Sequence, residues 1–473
     1  MTNWLPDLQA SDGPLYVRIA DQIEQAINSG ALASGSKLPP QRNLAYDIGV
    51  TIGTVSRAYS MVRERGLVSG EVGRGTYVLG SADTDDRPLP VDPVSARLVG
   101  ARAANAPPGK LRFDTTAAPD IGQSTVVTEI LSAICREQPN EISSYTRNFP
   151  PQWLEAGSRW LASGDWRPPA DSIVPTLGAH AAVMAAVSVI SSPGDRIVFE
   201  HVTYSHISRG TSLIGRQTVL VESDGDGVIP EDFERVCVQQ HPKLAFLMTS
   251  GHNPTLATMP EDRRRAIAAI ARRHNVFLIE DNLYGASMDN GIPLLAEIAP
   301  DRTFLVGGLS KSVAAGVRGG WIACPPHLAQ RVRIAHKMVS GGLPYLLAEV
   351  AARLVLSGTA DAIRSQVCAE VGAREARARE VFAGLDFNSH PRIPFLWLKL
   401  PDPWLSGTFR QAAFAEHILI DDEDEFKAGR SEKTFHRTRI SLSSPESRED
   451  VVSGLTRLRS LITHGPTGYD SPA

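Results

Sequence analysis

A chain of 473 residues, 42% of them hydrophobic, exceeds one ordinary domain and is long enough to bury two or three cores. A net charge of −4 excludes a strongly basic protein that coats nucleic acid, but not a small DNA-reading module. Four cysteines without CxxC spacing argue against a disulfide framework or metal site. The first residues lack a signal-peptide pattern, and no apolar run approaches the roughly 20 residues that span a bilayer, so a soluble cytoplasmic protein without membrane contact is expected.

Residues 1–79 read as three helices and a hairpin. Asp12-Gly13-Pro14 offers a cap and a first-turn proline, and Leu15, Ile19, Ile23 and Ile27 then recur as an apolar helical stripe that Gly30 ends. A second short helix fits Pro39 to Ile48 and stops at Gly49. Thr51 caps a third, through Val55, Tyr59 and Val62 to Arg65-Gly66. Leu67-Val68 and Thr76-Tyr77-Val78 read as strands joined by Ser69 to Gly75. This order is that of a winged helix-turn-helix. From Lys37 to Arg74 there are six Lys/Arg against three Asp/Glu. Thr51, Thr54, Ser56 and Arg57 lie at the start of the third helix, where a recognition helix meets base edges and phosphates. Arg42 in the second helix and Arg74 in the wing are placed for phosphate or minor groove. A small solvated helical domain is the alternative that composition alone leaves open.

Residues 80–110 carry five prolines (at 88, 90, 93, 107 and 108) and no sustained apolar period, which reads as an interdomain linker. From 111 to 465 short apolar strands alternate with helices. The strands are Ile173-Val174, Arg196 to Glu200, Gln217 to Glu222, Leu244 to Thr249, Val276 to Glu280, Thr303 to Val306 and Trp321 to Ala323. Helices fit Ala179 to Ile190, Glu261 to His274 and Leu328 to Val339. This predicts an open, mostly parallel α/β sheet with ligands at the carboxyl ends of its strands. A long charged helix, Ile363 to Phe382, and strands at Leu396 to Leu400 and Thr438 to Leu442 predict a smaller α+β subdomain. Residues 466–473 read as a flexible tail.

The candidate chemistry centres on Lys311. It follows an apolar strand, and Arg318 comes seven residues later. A lysine there forms an imine with an aldehyde and the arginine holds a phosphate, which points to pyridoxal 5′-phosphate. Such a site needs a carboxylate for the pyridine nitrogen, and Asp281 ends a strand. Tyr284 and Asn253 are candidates for the phenolic oxygen and Tyr204 for the ring face. Gly178-Ala179-His180 opens a helix whose free N–H groups suit a phosphate.

Each of these residues is weak evidence alone; the joint order is specific. Pro14-Leu15-Tyr16, Lys37-Leu38-Pro39-Pro40, Thr54-Val55-Ser56-Arg57 and Gly73-Arg74-Gly75-Thr76 resemble the GntR-type DNA-binding domain, except that Ile52 stands where many relatives carry a basic or polar residue. Gly178-Ala179-His180, His252-Asn253-Pro254-Thr255, Asp281-Asn282-Leu283-Tyr284, Ser310-Lys311 with Arg318, and Arg439-Ile440-Ser441-Leu442 resemble the fold-type I aminotransferases. The two together resemble the MocR subfamily of transcription regulators. The resemblance implies a domain-swapped homodimer on operator DNA, with an imine on Lys311 that an amine or amino-acid effector displaces. Ser310 would join the cofactor site, Tyr145 would reach the phosphate of the neighbouring subunit, and Arg439 would take an effector carboxylate. Gly308 stands where many relatives have a phosphate-binding serine. A working aminotransferase with an accessory DNA-binding domain is the rival reading, and sensing of the cofactor itself is a third. The acidic run Asp421 to Glu425 reads either as a solvated loop or as a recognition surface for a second positive charge on the ligand.

Overall fold

The structure is a computed structural model that describes residues 4–6, 14–33, 36–65, 67–71, 75–78, 109–288, 291–429, 431 and 433–465. It divides into two compact units, Met1–Arg102 and Ala103–Ala473. Asp12, Gly13, Gly66, Arg74, the tail, and the expected linker apart from Gly109 and Lys110 lie outside the described residues.

The first unit contains α1 (Leu15–Asn28), α2 (Gln41–Asp47), α3 (Ile52–Glu64) and an antiparallel hairpin of β1 (Val68–Glu71) and β2 (Gly75–Val78). Ile19 and Ile23 pack with Leu44, Val55, Tyr59 and Val62 in one core. Leu15, at the head of the expected stripe, is exposed. The reason is geometric: a four-residue step overshoots one helical turn by about 40°, so a series of such steps drifts off the buried face at its ends. Gly49 holds φ at +70° between α2 and α3, a left-handed conformation that suits glycine. The Thr51 hydroxyl accepts the Thr54 N–H at 3.2 Å and caps α3. The buried Tyr59 hydroxyl donates to the Pro39 carbonyl at 2.7 Å, fixing α3 to the start of α2.

The second unit is built on a seven-stranded sheet. In chain order its main elements are β3 (Ile173–Thr176), α4 (Gly178–Ile190), β4 (Arg196–Glu200), α5 (Ser205–Leu213), β5 (Gln217–Val221), β6 (Leu244–Leu247), α6 (Glu261–Arg273), β7 (Phe277–Asp281), β8 (Thr303–Gly308), β9 (Gly320–Ala323) and α7 (Ala329–Ser340). The spatial order is β3-β9-β8-β7-β6-β4-β5. Neighbours from β8 to β5 are parallel, whereas β9 runs antiparallel to both β8 and β3. The cause lies in chain length. A parallel return needs a crossover of about a dozen residues or more, usually helical. The connection from Leu309 to Gly319 holds only a short 3₁₀ turn, Ala315–Val317. The chain therefore doubles back, and Lys311 and Arg318 stay at the same end of the sheet.

The smaller subdomain consists of α8 (Thr359–Val381), β10 (Phe387–Asn388), β11 (Phe395–Lys399), β12 (Asp421–Asp422), β13 (Arg437–Ser441) and α9 (Arg448–His464). Its antiparallel sheet has the order β10-β11-β13-β12. Leu396, Leu398, Ile440, Leu442, Val451 and Leu455 form its core. The polar residues of α8 are partly structural. Buried Arg374 donates to the carbonyls of Leu442 and Pro445, tying the helix to the chain that follows β13. Among the described residues no helix is long and apolar enough to cross a membrane.

Candidate cofactor site and nucleic-acid interface

Asp281 ends β7, and the chain reaches Lys311 shortly after the adjacent parallel strand β8. Asp281 is buried, and burial pushes its carboxyl up from the ordinary 3.8 to about 6; the Leu283 N–H and the charges of Lys311 and His252 pull the other way. The Lys311 amine donates to the Thr116 hydroxyl at 3.1 Å, which also lies 2.7 Å from the Tyr284 hydroxyl. Burial raises the Tyr284 phenol to about 12, so Tyr284 stays protonated at neutral pH. The sequence reading missed Thr116. It follows a two-residue strand and belongs to no motif, so only the fold reveals it.

The phosphate end is tightly built. A side chain on Gly178 (φ +79°) would come 3.5 Å from the Arg318 guanidinium, and one on Gly320 would come 2.8 Å from the Gly178 Cα. Bare backbone is therefore required where β9 meets the start of α4. Arg318 itself adopts φ +53°. It is exposed and forms no ion pair among the described residues. Burial, then Arg318, lowers the His180 pKa, so His180 is a neutral neighbour of this cation. His336 from α7, held neutral by burial that lowers it to about 4, accepts the Leu177 N–H at 3.0 Å and fixes the turn into α4. Ala179 and Ser310 are half-buried beside these groups in sequence. The chemistry fits a phosphorylated pyridine aldehyde: an amine, a carboxyl that a cationic ring nitrogen would stabilise as its anion, and an open cation at a helix N-terminus.

Two further groups enclose this region. Tyr204 precedes α5 and stacks on His206 with ring centroids 5.1 Å apart. Asn253 is buried, and its Oδ1 accepts from Arg439 at 2.8 Å, which leaves its NH2 as the remaining donor. His252 beside it lies 3.0 Å from Glu200, without hydrogen-bond alignment. Tyr145 is 91% exposed in the single chain.

The acidic run departs from both sequence readings. Asp421, Asp422 and Glu423 are buried, not solvated, and the run starts as edge strand β12. Each acid already has a cation from the chain. Asp421 pairs with Arg439 at 2.6 Å, Asp422 with Arg410 at 3.0 Å, Glu423 and Asp424 with Lys427, and Glu425 with Arg209. A run of like charges is tolerated here because four cations face the five carboxylates, with Lys427 shared by Glu423 and Asp424.

In the first unit, Arg42, Thr51 and Arg57 are exposed, and Thr54 and Ser56 are half-buried. Thr51 and Thr54 hydroxyls lie 2.9 Å apart, so part of their polar capacity goes to the cap. The Arg57 guanidinium lies 3.9 Å over the Tyr16 ring, a support from α1 that the sequence reading missed. Exposed Tyr46 on α2 was also missed.

Comparison with known proteins agrees with both halves. Residues 112–453 match the family model "Aminotransferase class I and II", and residues 15–78 match "Bacterial regulatory proteins, gntR family". The chain belongs to the class I and II aminotransferase family. Its gntR-type half makes it a DNA-binding transcription regulator of the MocR type. It is 28% identical over 462 residues to the uncharacterized HTH-type transcriptional regulator YdeF of Bacillus subtilis, covering 97% of both chains. It is 25% identical to the HTH-type transcriptional regulator TauR of Rhodobacter capsulatus, covering 94% of this chain and 96% of the relative. Among solved structures, an archaeal alanine:glyoxylate aminotransferase superposes with a TM-score of 0.68 at 22% identity, covering 75% of this chain and 91% of the other. That likeness is one of fold.

Within this aminotransferase-family unit, Gly308 has a structural reason of its own. A side chain there would come 2.8 Å from the Gly319 carbonyl oxygen, in the β8–β9 pairing. A serine here would require the backbone to shift.

Proposed function

We propose that the chain is a cytoplasmic transcription regulator that holds pyridoxal 5′-phosphate on Lys311 and changes its grip on operator DNA when an amine or amino-acid effector takes the place of Lys311. The observation that carries this reading is the buried, charge-disfavoured Asp281 set against Lys311 at the ends of adjacent strands. When bound, the cofactor supplies an aldehyde that condenses reversibly with amines. The residues of the chain do the rest. Asp281 would neutralise a protonated ring nitrogen, and Tyr284 and the Asn253 NH2 would donate to the phenolic oxygen. Arg318, Ser310 and the N–H groups that open α4 would hold the phosphate, and Tyr204 would cover the ring. The Thr116 hydroxyl holds the Lys311 amine in place.

A homodimer belongs to the same reading. Exposed Tyr145 would serve the site of a second copy, and Met338, 72% exposed on α7, suits a covered face. Arg42, Thr51, Thr54, Ser56 and Arg57 would meet the DNA.

The test combines absorbance with mobility shift on the upstream DNA. A visible cofactor band lost in Lys311→Ala, and an amine that shifts both that band and the DNA affinity, are the expected results. Robust ketoacid turnover without DNA binding would replace this reading with that of an aminotransferase.

A further inference from the structure

The Arg439 guanidinium is occupied. Its five N–H donors are one on Nε and two on each terminal nitrogen. Nε donates to Asp421 Oδ2 at 3.1 Å, one terminal nitrogen donates to the same oxygen at 2.6 Å and to the Asp114 carbonyl at 3.2 Å, and the other donates to Asn253 at 2.8 Å. One donor remains. A ligand carboxylate bound end-on to an arginine uses two parallel N–H groups, and this guanidinium has no such pair left. Aromatic rings crowd it too, with the Phe426 and Phe395 centroids 4.6 and 5.4 Å from its carbon.

The charge is cancelled as well. Asp421 and Arg439 are directly opposed in the β12–β13 ladder, and both are buried, with 5% and 2% of their surface exposed. A ligand carboxylate could take a pair of these donors only by displacing Asp421, which would set two anions side by side in a buried place, with Arg112 a remaining cation near Asp421. Asp421 is an internal substitute for the carboxylate of an amino acid.

We infer that Asp421 sets the effector class, and that the preferred effector is a primary amine whose amine-bearing carbon carries no carboxylate. This rests on the cofactor reading above and narrows its ligand. Arg439 then acts as a positioning residue that aims the Asn253 amide.

The test uses the full-length holoprotein and matched pairs, each an α-amino acid and the amine left when its carboxylate is removed, such as L-alanine and ethylamine. The half-saturating concentration for the shift of the visible band should be at least tenfold lower for the amine. Asp421→Asn, which keeps an acceptor but removes the charge, should narrow that ratio about tenfold. Maleate, a dicarboxylate that needs no cofactor, should leave the melting temperature of the wild type unchanged and raise that of D421N. Arg439→Gln should weaken the amine and the amino acid alike if Arg439 only positions Asn253. Equal half-saturation of both pair members in the wild type, an unchanged ratio in D421N, or stabilisation of the wild type by maleate would overturn the role of Asp421. A wild type without a visible band would sink the cofactor reading instead, and the maleate arm would still decide the role of Asp421.

Discussion

At the scale of single residues, Asp281 shows how a site works against the stability of its own fold. Folded Asp281 holds its proton more tightly than the unfolded chain does, because its folded pKa is raised from 3.8 to about 6. Between those values the folded state binds more protons, so stability falls as pH rises through this window and stays lowered above it. Asp281→Asn removes the penalty and keeps an acceptor for the Leu283 N–H. The cofactor-free variant should be more stable than wild type by roughly 1–3 kcal/mol at pH 7.5 and equal to it near pH 3.5, measured by urea denaturation. Greater stability at pH 3.5 but not at 7.5 would contradict the desolvation account. Gly308 makes the opposite case. Gly308→Ser should cost about 1–3 kcal/mol, because the new Cβ meets backbone that cannot rotate away; an unchanged urea midpoint would show that the β8–β9 pairing yields. Lys311, Asp281 and Asn253 were legible as candidates in the sequence because each lies at or shortly after the end of an apolar strand, and Arg318 because it precedes the next one. Thr116 was not, since a hydroxyl brought in from a distant segment has no local pattern. Nor was the true state of Asp421, because five acids in a row look solvated until their partners Arg439, Arg410, Lys427 and Arg209 are seen.

At the scale of elements, apolar patterning marked the buried strands and the three N-terminal helices, and missed helices whose faces are less clear. Pro151–Trp160 and Tyr345–Leu356 pack against each other behind the sheet, joined by Trp153 donating to Glu349 at 2.7 Å. The first is short. Its apolar face, Trp153, Ala156, Gly157 and Trp160, rests largely on small residues, and the second helix is apolar nearly all round. The short link after β8 left the reversal of β9 to be found in the structure, and that reversal brings Arg318 back to α4. Packing between elements also has a consequence in the DNA-reading unit. Tyr16 on α1 supports Arg57 on α3. Tyr16→Ala should therefore weaken operator binding about two- to fivefold, in line with a cation–π contact of ~0.5–1 kcal/mol, while Tyr16→Phe keeps the ring and most of the affinity. A mobility-shift titration checks this at fixed salt. Equal loss in both variants would move the effect from the ring to the hydroxyl.

At the scale of the whole molecule, the residues expected to meet DNA lie in one unit and the amine chemistry in the other. Regulation therefore requires a coupling free energy between two sites, and that energy acts in both directions. If saturating amine changes operator affinity by some factor, saturating operator must change amine affinity by the same factor, commonly about 5- to 150-fold. Both factors are measurable on one preparation. Fluorescence anisotropy of labelled operator, with and without amine, gives the first. The absorbance titration with amine, with and without operator, gives the second. They should agree within error in the wild type, and the first should fall to one in Lys311→Ala, where the cofactor band is lost. In D421N the coupling should survive while the preferred ligand changes, because Asp421 selects the ligand without setting the energy gap between the two states. A wild type in which amine alters operator binding while operator leaves amine binding untouched would break the linkage. The two effects would then belong to separate equilibria, and the aminotransferase-family unit would not be the sensor for the DNA-reading one.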